Sequence, residues 1–300
     1  MKKAEVMLMV AVAFWGMTIA PTKWALESIP PLTLIFLRLF LGSLLFLPFA
    51  WKVAGGLQWA DVPWKRLASL SFTGVAGYFL LQYVGVSMTS GVHASIISAS
   101  LPLCTIVLAA VYLKEQITRN QWLGLWLGVA GVLAITVHPG SGDTQGSFLM
   151  GDLLVLAAHV IWALYVIQLK RPQGEERLPS EMFTALTLVI GGLMVLPFAG
   201  AELWYLGMPE VTAKGFWSLV ALVLGPTILA YWLWNRGIES VSAGKAGLYL
   251  NTMPLISVIT SILLLGEALT WRTLIGGLLV IAGVFWAEKK SRLPSAASQA

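Results

Sequence analysis

Two tyrosines each stand four residues before an amide: Tyr78 before Gln82, and Tyr231 before Asn235. On a helix that spacing puts both members of a pair on one face. The stretches around them are otherwise apolar. Neighbouring apolar stretches carry Trp15 and Thr18, Ser95 and Ser98, His159, Trp162 and Tyr165, and Tyr249, Asn251 and Thr252. Such groups are costly against lipid, so they are expected to turn inward. Aromatic rings with amides and hydroxyls suit reversible binding of a small molecule that has an apolar body and a polar head. Hydrogen bonding between helices is the alternative use for the serines, threonines and asparagines.

Bond-breaking chemistry finds little support. The chain has no Gly-x-x-x-x-Gly-Lys-Ser/Thr loop, no His-Glu-x-x-His and no cysteine pair. The expectation is no cofactor, no metal and no catalytic residue. The lone Cys104 sits in an apolar run and is expected to pack. No Asp or Glu is expected at mid-span, which leaves few proton carriers. His159 is the best candidate for a buried titratable group, with a packing histidine as the alternative.

Pro102 and Pro254 fall near the middle of their apolar runs. A proline inside a helix removes one hydrogen bond and frees the carbonyl four residues earlier, here Ser98 and Leu250. Two such breaks at membrane depth predict a central cavity, with both prolines as hinges. Arg38, about two turns into its run, either snorkels to the interface or serves as a gate or anion contact. Lys23 poses the same choice. Glu115 and Glu267 stand at matching corners, and each is expected to cap the helix that follows it. Gly124, Gly128, Gly131, Gly276, Gly277 and Gly283 are expected to let helices approach closely, within the chain or across a dimer.

These residues need a scaffold, and composition says which. Of 300 residues, 58% are hydrophobic and 11% charged, against about 25% charged in a soluble domain. Lipid is therefore the expected solvent. Ten runs are long enough to span it: 4–24, 32–51, 66–87, 92–113, 120–137, 151–170, 180–199, 214–236, 243–265 and 271–287. The strict alternation of a membrane barrel is absent. The first run is expected to be a retained helix rather than a cleaved signal. The net charge of +5 is spread over short connectors and does not make a nucleic-acid surface.

The charges also orient the chain. With the N-terminus inside, all but Lys23, Arg38, Lys214 and Arg272 of the basic residues fall on the cytoplasmic side, so both termini are expected there. The two halves repeat. Gly85, Pro102, Leu103, Glu115, Gly124 and Gly131 recur at a constant offset as Gly237, Pro254, Leu255, Glu267, Gly276 and Gly283. Leu47-Pro48-Phe49-Ala50 recurs as Leu196-Pro197-Phe198-Ala199. Five spans per half is an odd number, so the second half enters from the opposite side. The expected fold is an all-α integral membrane protein of ten transmembrane helices in two inverted five-helix repeats, 1–138 and 150–288. A disordered cytoplasmic tail, 289–300, is expected after them.

Trp15-Gly16 with Lys23 after it, Pro31 followed by Phe36-Leu37-Arg38, and the corners Leu113-Lys114-Glu115 and Leu265-Gly266-Glu267 resemble the drug/metabolite transporter superfamily, its EamA-type branch in particular. The resemblance covers nearly the whole chain. It implies a secondary transporter in the bacterial inner membrane, exporting an amino acid or related metabolite through a cavity lined by the first, third, fourth, sixth, eighth and ninth helices. The second half lacks the arginine: Met182-Phe183-Thr184-Ala185 stands there. The partners implied are a small-molecule substrate, the bilayer and protons as a coupling ion, in a monomer or homodimer. A facilitative permease and a membrane-embedded enzyme are the other readings.

Overall fold

The computed structural model describes residues 3–54, 62–114, 116–136, 143–170, 178–238, 249 and 252–288. Among these the secondary structure is helical throughout, as apolar surroundings require when the backbone must satisfy itself. The helices are α1 (Lys3–Gly16), α2 (Ile19–Leu26), α3 (Pro31–Ala54), α4 (Trp64–Ser71), α5 (Gly77–Met88), α6 (Gly91–Ser98) and α7 (Leu101–Tyr112). They continue with α8 (Arg119–Thr136), α9 (Asp143–Lys170), α10 (Ser180–Leu206), α11 (Ala213–Leu222), α12 (Ala230–Ile238), α13 (Met253–Leu265) and α14 (Trp271–Glu288).

Seven segments are long and apolar enough to cross a membrane: Lys3–Leu26, Pro31–Ala54, Trp64–Met88, Gly91–Tyr112, Phe148–Gln168, Glu181–Leu206 and Ala213–Trp234. Met253–Leu265 and Trp271–Ala287 are shorter apolar helices. The outer surface is apolar: Leu44, Leu45, Trp126, Leu263 and Phe285 are all exposed. Exposed Trp204, Tyr205, Trp217 and Trp271 lie near helix ends, as do Trp51, Trp64 and Trp122. Aromatic residues so placed mark membrane–water interfaces. The chain is an all-helical, multi-pass membrane protein.

Several spans are interrupted, and local chemistry explains where. The third and eighth widen into π-helical stretches, Phe72–Ala76 and Val223–Leu229. In the second of these Pro226 has no N–H to give the Leu222 carbonyl. The Thr227 hydroxyl donates to that carbonyl instead, at 2.9 Å. The fourth span is two helices. Tight turns at Ala99 and Ser100 end α6, and Pro102 is the second residue of α7. Pro254 is likewise the second residue of α13. The expected mid-helix kinks are therefore helix starts. Proline is favoured there because a first-turn N–H has no intrahelical acceptor anyway.

Packing joins distant parts of the chain. The most extensive contacts are α8 with α14, α3 with α10, α5 with α9 and α1 with α12; α6 lies on α13. Glycine lets backbones meet: ideal Cβ atoms on Gly131 and Gly283 would stand 2.6 Å from the carbonyl oxygens of Gly276 and Gly124. The six glycines singled out in the sequence thus serve packing within the chain.

Glu267 does not cap the helix that follows it. Its two carboxylate oxygens accept the N–H groups of Gly91 and Val92, both at 2.7 Å, and so cap α6. The connector leans across the bundle to a helix N-terminus that lacks a charge of its own. Glu115 lies outside the described residues, as does the tail 289–300. Glu202, on α10, caps α3 in the same manner through the N–H groups of Leu32 and Thr33 and the Thr33 hydroxyl. Glu202→Ala should cost about 1–2 kcal/mol, the range of lost N-caps. The thermal midpoint of purified protein should then fall by about 2–4 °C per kcal/mol; no fall would mean the cap carries no stability.

Candidate functional site

Two aromatic clusters form where facing spans pair. In the first, Tyr78 of α5 meets Trp162 of α9 with ring centroids 4.8 Å apart. Tyr165 continues the row at 5.2 Å from Trp162, and the His159 ring stands edge-on to Tyr78 at 5.8 Å. Residues 159, 162 and 165 share one side of α9 by their three-residue spacing. In the second cluster, Trp15 of α1 stands 5.3 Å from both Tyr231 and Trp234 of α12. The Trp15 Nε1–H donates to the Pro226 carbonyl at 2.9 Å. That carbonyl lies within the π-helical stretch Val223–Leu229. Trp15, Tyr78, Trp162, Tyr165 and Tyr231 are half-buried.

Arg38 connects the two clusters. It does not snorkel: the residue is 6% exposed and turned inward from α3. Its Nε donates to Thr227 Oγ1 at 2.9 Å and its Nη1 donates to the Tyr83 hydroxyl. The guanidinium carbon lies 5.0 Å from the centre of the Phe79 ring. Phe79 packs against Tyr78 at 5.1 Å, and Thr227 follows Pro226, whose carbonyl holds Trp15, so Arg38 touches a neighbour of each cluster. Among the described residues no carboxylate lies within ion-pair distance of it. Gln82, one turn beyond Tyr78, is buried, and its Oε1 has no hydrogen-bond partner among the described residues.

The other sequence candidates are distributed differently. Ser95 is fully buried and donates to the Gly91 carbonyl, with Ser257 Oγ at 2.7 Å across the α6–α13 contact. Ser98 donates to the Ala94 carbonyl and Thr18 to the Trp15 carbonyl. These three satisfy backbone locally, the packing use open to any hydroxyl in a membrane helix. His159 is held by the Val155 carbonyl, 2.7 Å from its Nδ1. Tyr249 is half-buried, and its carbonyl accepts from Thr252. Asn251 and Leu250 lie outside the described residues, as does the Asn235 side chain.

Some residues were not legible as site candidates. Trp234, Tyr83 and Thr227 look like ordinary members of apolar runs. Asp152, the second residue of the sixth apolar run, is 2% exposed and lies inside α9, which starts at Asp143 rather than at 151. Lys23 also turns inward and donates to the Thr89 carbonyl.

Known proteins extend these observations. The EamA-like transporter family matches the chain at residues 2–137 and again at 149–287. The uncharacterized transporter YetK of Bacillus subtilis (strain 168) is 30% identical, over 98% of this chain and 89% of its own length. A protein of Salmonella typhimurium named "Probable amino-acid metabolite efflux pump" is 26% identical, over 95% of this chain and 94% of its own. A crystal structure 20% identical in sequence superposes with a TM-score of 0.63, over 95% of this chain and 96% of that one, and shows the same fold. The helical membrane fold and these matches identify a transporter rather than an enzyme: the chain belongs to the EamA-like transporter family.

Proposed function

We propose that the protein is a secondary transporter exporting a small metabolite, such as an amino acid or a derivative, by alternating access. Its ten spans form two inverted five-helix repeats, residues 1–138 and 150–288, with both termini on the cytoplasmic face of the bacterial inner membrane. The pairing of helices supports the repeat. The α5–α9 contact joins the third span to the sixth, and the α1–α12 contact joins the eighth to the first. The two contacts are the same relation with the halves exchanged. The π-helical stretches in the third and eighth spans support it as well.

The observation that carries the site is Arg38 between the two aromatic clusters. A buried guanidinium held by two hydroxyls and a ring, with no carboxylate beside it among the described residues, suits the anionic head of a substrate. Trp162 and Tyr78 form one wall, and Trp15 and Tyr231 the other. Each of these rings keeps some accessible surface, as the lining of a cavity between the halves would. The Gln82 Oε1 offers an acceptor to a substrate ammonium or hydroxyl. Pro102, at the start of α7, lets α6 and α7 tilt separately, and Pro254 stands at the matching start of α13. The amino-acid class is drawn from the name of the Salmonella typhimurium relative.

A metabolite export screen in cells overproducing the protein tests the reading. Tyr231→Ala and Trp162→Ala should each cut export about tenfold, since a lost aromatic contact of roughly 1–1.5 kcal/mol is worth that factor. Membrane levels should stay unchanged. Export at full rate by both variants would remove the aromatic walls from the site.

A further inference from the structure

At one end of the bundle, polar contacts join the two halves of the chain. Glu267, in the corner between α13 and α14, accepts the N–H groups of Gly91 and Val92 at the start of α6, both at 2.7 Å. One turn further in, α6 and α13 meet along a seam of small polar residues. Ser95 Oγ lies 2.7 Å from Ser257 Oγ and 3.4 Å from Ser261 Oγ, and all three residues are buried. Gly91 completes the seam: an ideal Cβ there would stand 2.8 Å from a Leu265 methyl and 2.9 Å from Ser261 Oγ. On the other side of α6, the Thr89 hydroxyl donates to Asp152 Oδ1, and Asp152 Oδ2 lies 3.2 Å from His93 Nδ1. Lys23 donates to the Thr89 carbonyl. These contacts tie the start of α6 to α9 and α2.

The seam differs from the permanent contacts of the fold. α8 and α14 meet backbone to backbone at two levels, Gly131 on Gly276 and Gly124 on Gly283, with no room for water between them. The α6–α13 seam is short and lined with hydroxyls. α6 has eight residues, a length of about 12 Å. The chain then turns at Ala99 and Ser100 into α7, whose most extensive contact is with α9. Serine hydroxyls and the first N–H groups of a helix can all take water instead. The seam can therefore part without stranding a polar group. α13 also has slack at this end. Gly266 closes it in the left-handed region at φ +66°, and residues 266–270 carry no helix, so α13 does not run on into α14.

We propose that the α6–α13 seam is the outer gate of the transporter and that Glu267 is its latch. With the seam shut, two charge-assisted hydrogen bonds hold the α13 corner over the start of α6. When the end of α13 swings away, water takes up the carboxylate and both N–H groups, and this end of the bundle opens. The topology with both termini in the cytoplasm puts this end outside. The inference rests on the alternating-access reading and names the contact that breaks once in each cycle.

Thiol labelling reads the gate without any substrate. Ser257→Cys, buried in the seam, is the reporter in full-length protein carrying Cys104→Ser. A membrane-impermeant maleimide is added to spheroplasts, so only thiols open to the outside react. Glu267→Gln keeps the shape of the side chain but removes its charge and one of its two acceptor oxygens. Labelling should then rise at least about fivefold, because a hydrogen bond to a charged group is roughly twice as strong as a neutral one. Gly91→Val should raise it as well, since it puts a branched side chain where even a Cβ stands too close to α13. Glu202→Ala removes a comparable cap from α3 and should leave labelling at the parent rate. Each variant is checked for a monodisperse peak. Parent-rate labelling in folded Glu267→Gln or Gly91→Val, or an equal rise in Glu202→Ala, overturns the proposal. A gate that responds as expected in a protein that exports no metabolite would instead refute the carrier reading alone.

Discussion

Gly131→Leu should leave no folded protein in the membrane. The α8–α14 contact is the most extensive between any two helices described, and it is made backbone to backbone. An ideal Cβ on Gly131 would stand 2.6 Å from the Gly276 carbonyl oxygen and 2.7 Å from a Val280 methyl. The carbonyl cannot rotate away, so the helices must separate. Lipid tails offer no hydrophobic drive to restore the contact, because helix association in a bilayer depends on close packing. Gly131→Ala should cost about 1–3 kcal/mol, the usual range for overpacking. The leucine should reduce the monodisperse peak in size-exclusion chromatography at least about tenfold, since its added volume adds to that cost. Gly200→Leu is the control, because a Cβ there meets nothing within 4 Å. A wild-type elution profile for Gly131→Leu would mean the two helices do not touch at this point.

Arg38→Ala should abolish export while leaving the protein folded. Removing one partner of a buried pair normally strands a charge. Here the charge itself is removed, and what remains is two neutral hydroxyls. Thr227 keeps its own acceptor, the Leu222 carbonyl. Stability should therefore fall by less than the roughly 3–6 kcal/mol that two hydrogen bonds to a charged group sum to, because the buried charge goes with them. Arg38→Lys is the sharper variant. A lysine keeps the charge on a single flexible ammonium and cannot reproduce the fork that reaches Thr227 and Tyr83 together. Export should drop at least about tenfold, or roughly 1.4 kcal/mol, in the lysine variant as well. Uptake into inverted vesicles, with expression matched by blot, reads both. Full activity of Arg38→Ala would take Arg38 out of the transport site, and full activity of Arg38→Lys would leave only its charge important.

Several elements could be read from residue types alone because the cause is local. The starts of α3 at Pro31 and of α14 at Trp271 lie within one residue of the apolar runs 32–51 and 271–287. The glycines at 124, 131, 276 and 283 could be assigned to close packing, since only a missing side chain permits such approach. Pro102 and Pro254 could be identified as breaks but not as helix starts. That distinction depends on the tight turns at Ala99 and Ser100, which proline does not dictate.

The clusters around Arg38 and His93 were a different matter. Arg38 could be placed within its span, but Tyr83 and Thr227, its hydrogen-bond partners, sit in apolar runs with nothing to mark them. Asp152, at the edge of its run, carried no sign of its burial, because burial is a property of the helices around it. Glu267 was assigned to the wrong helix for a related reason: a carboxylate near two helix starts caps the one it can reach.

Residue types by themselves determined the solvent, the helical state and the inward turn of Trp15, Tyr78, Trp162 and Tyr231. Those follow from the cost of exposing polar groups to hydrocarbon, which each residue incurs wherever it lies. Tertiary structure alone decided that Arg38 joins two aromatic clusters and that Lys23, His93, Asp152 and Glu267 gather at one end. A hydrogen bond or ion pair needs both partners within a few ångströms, and partners this far apart in the chain meet only once the helices have packed.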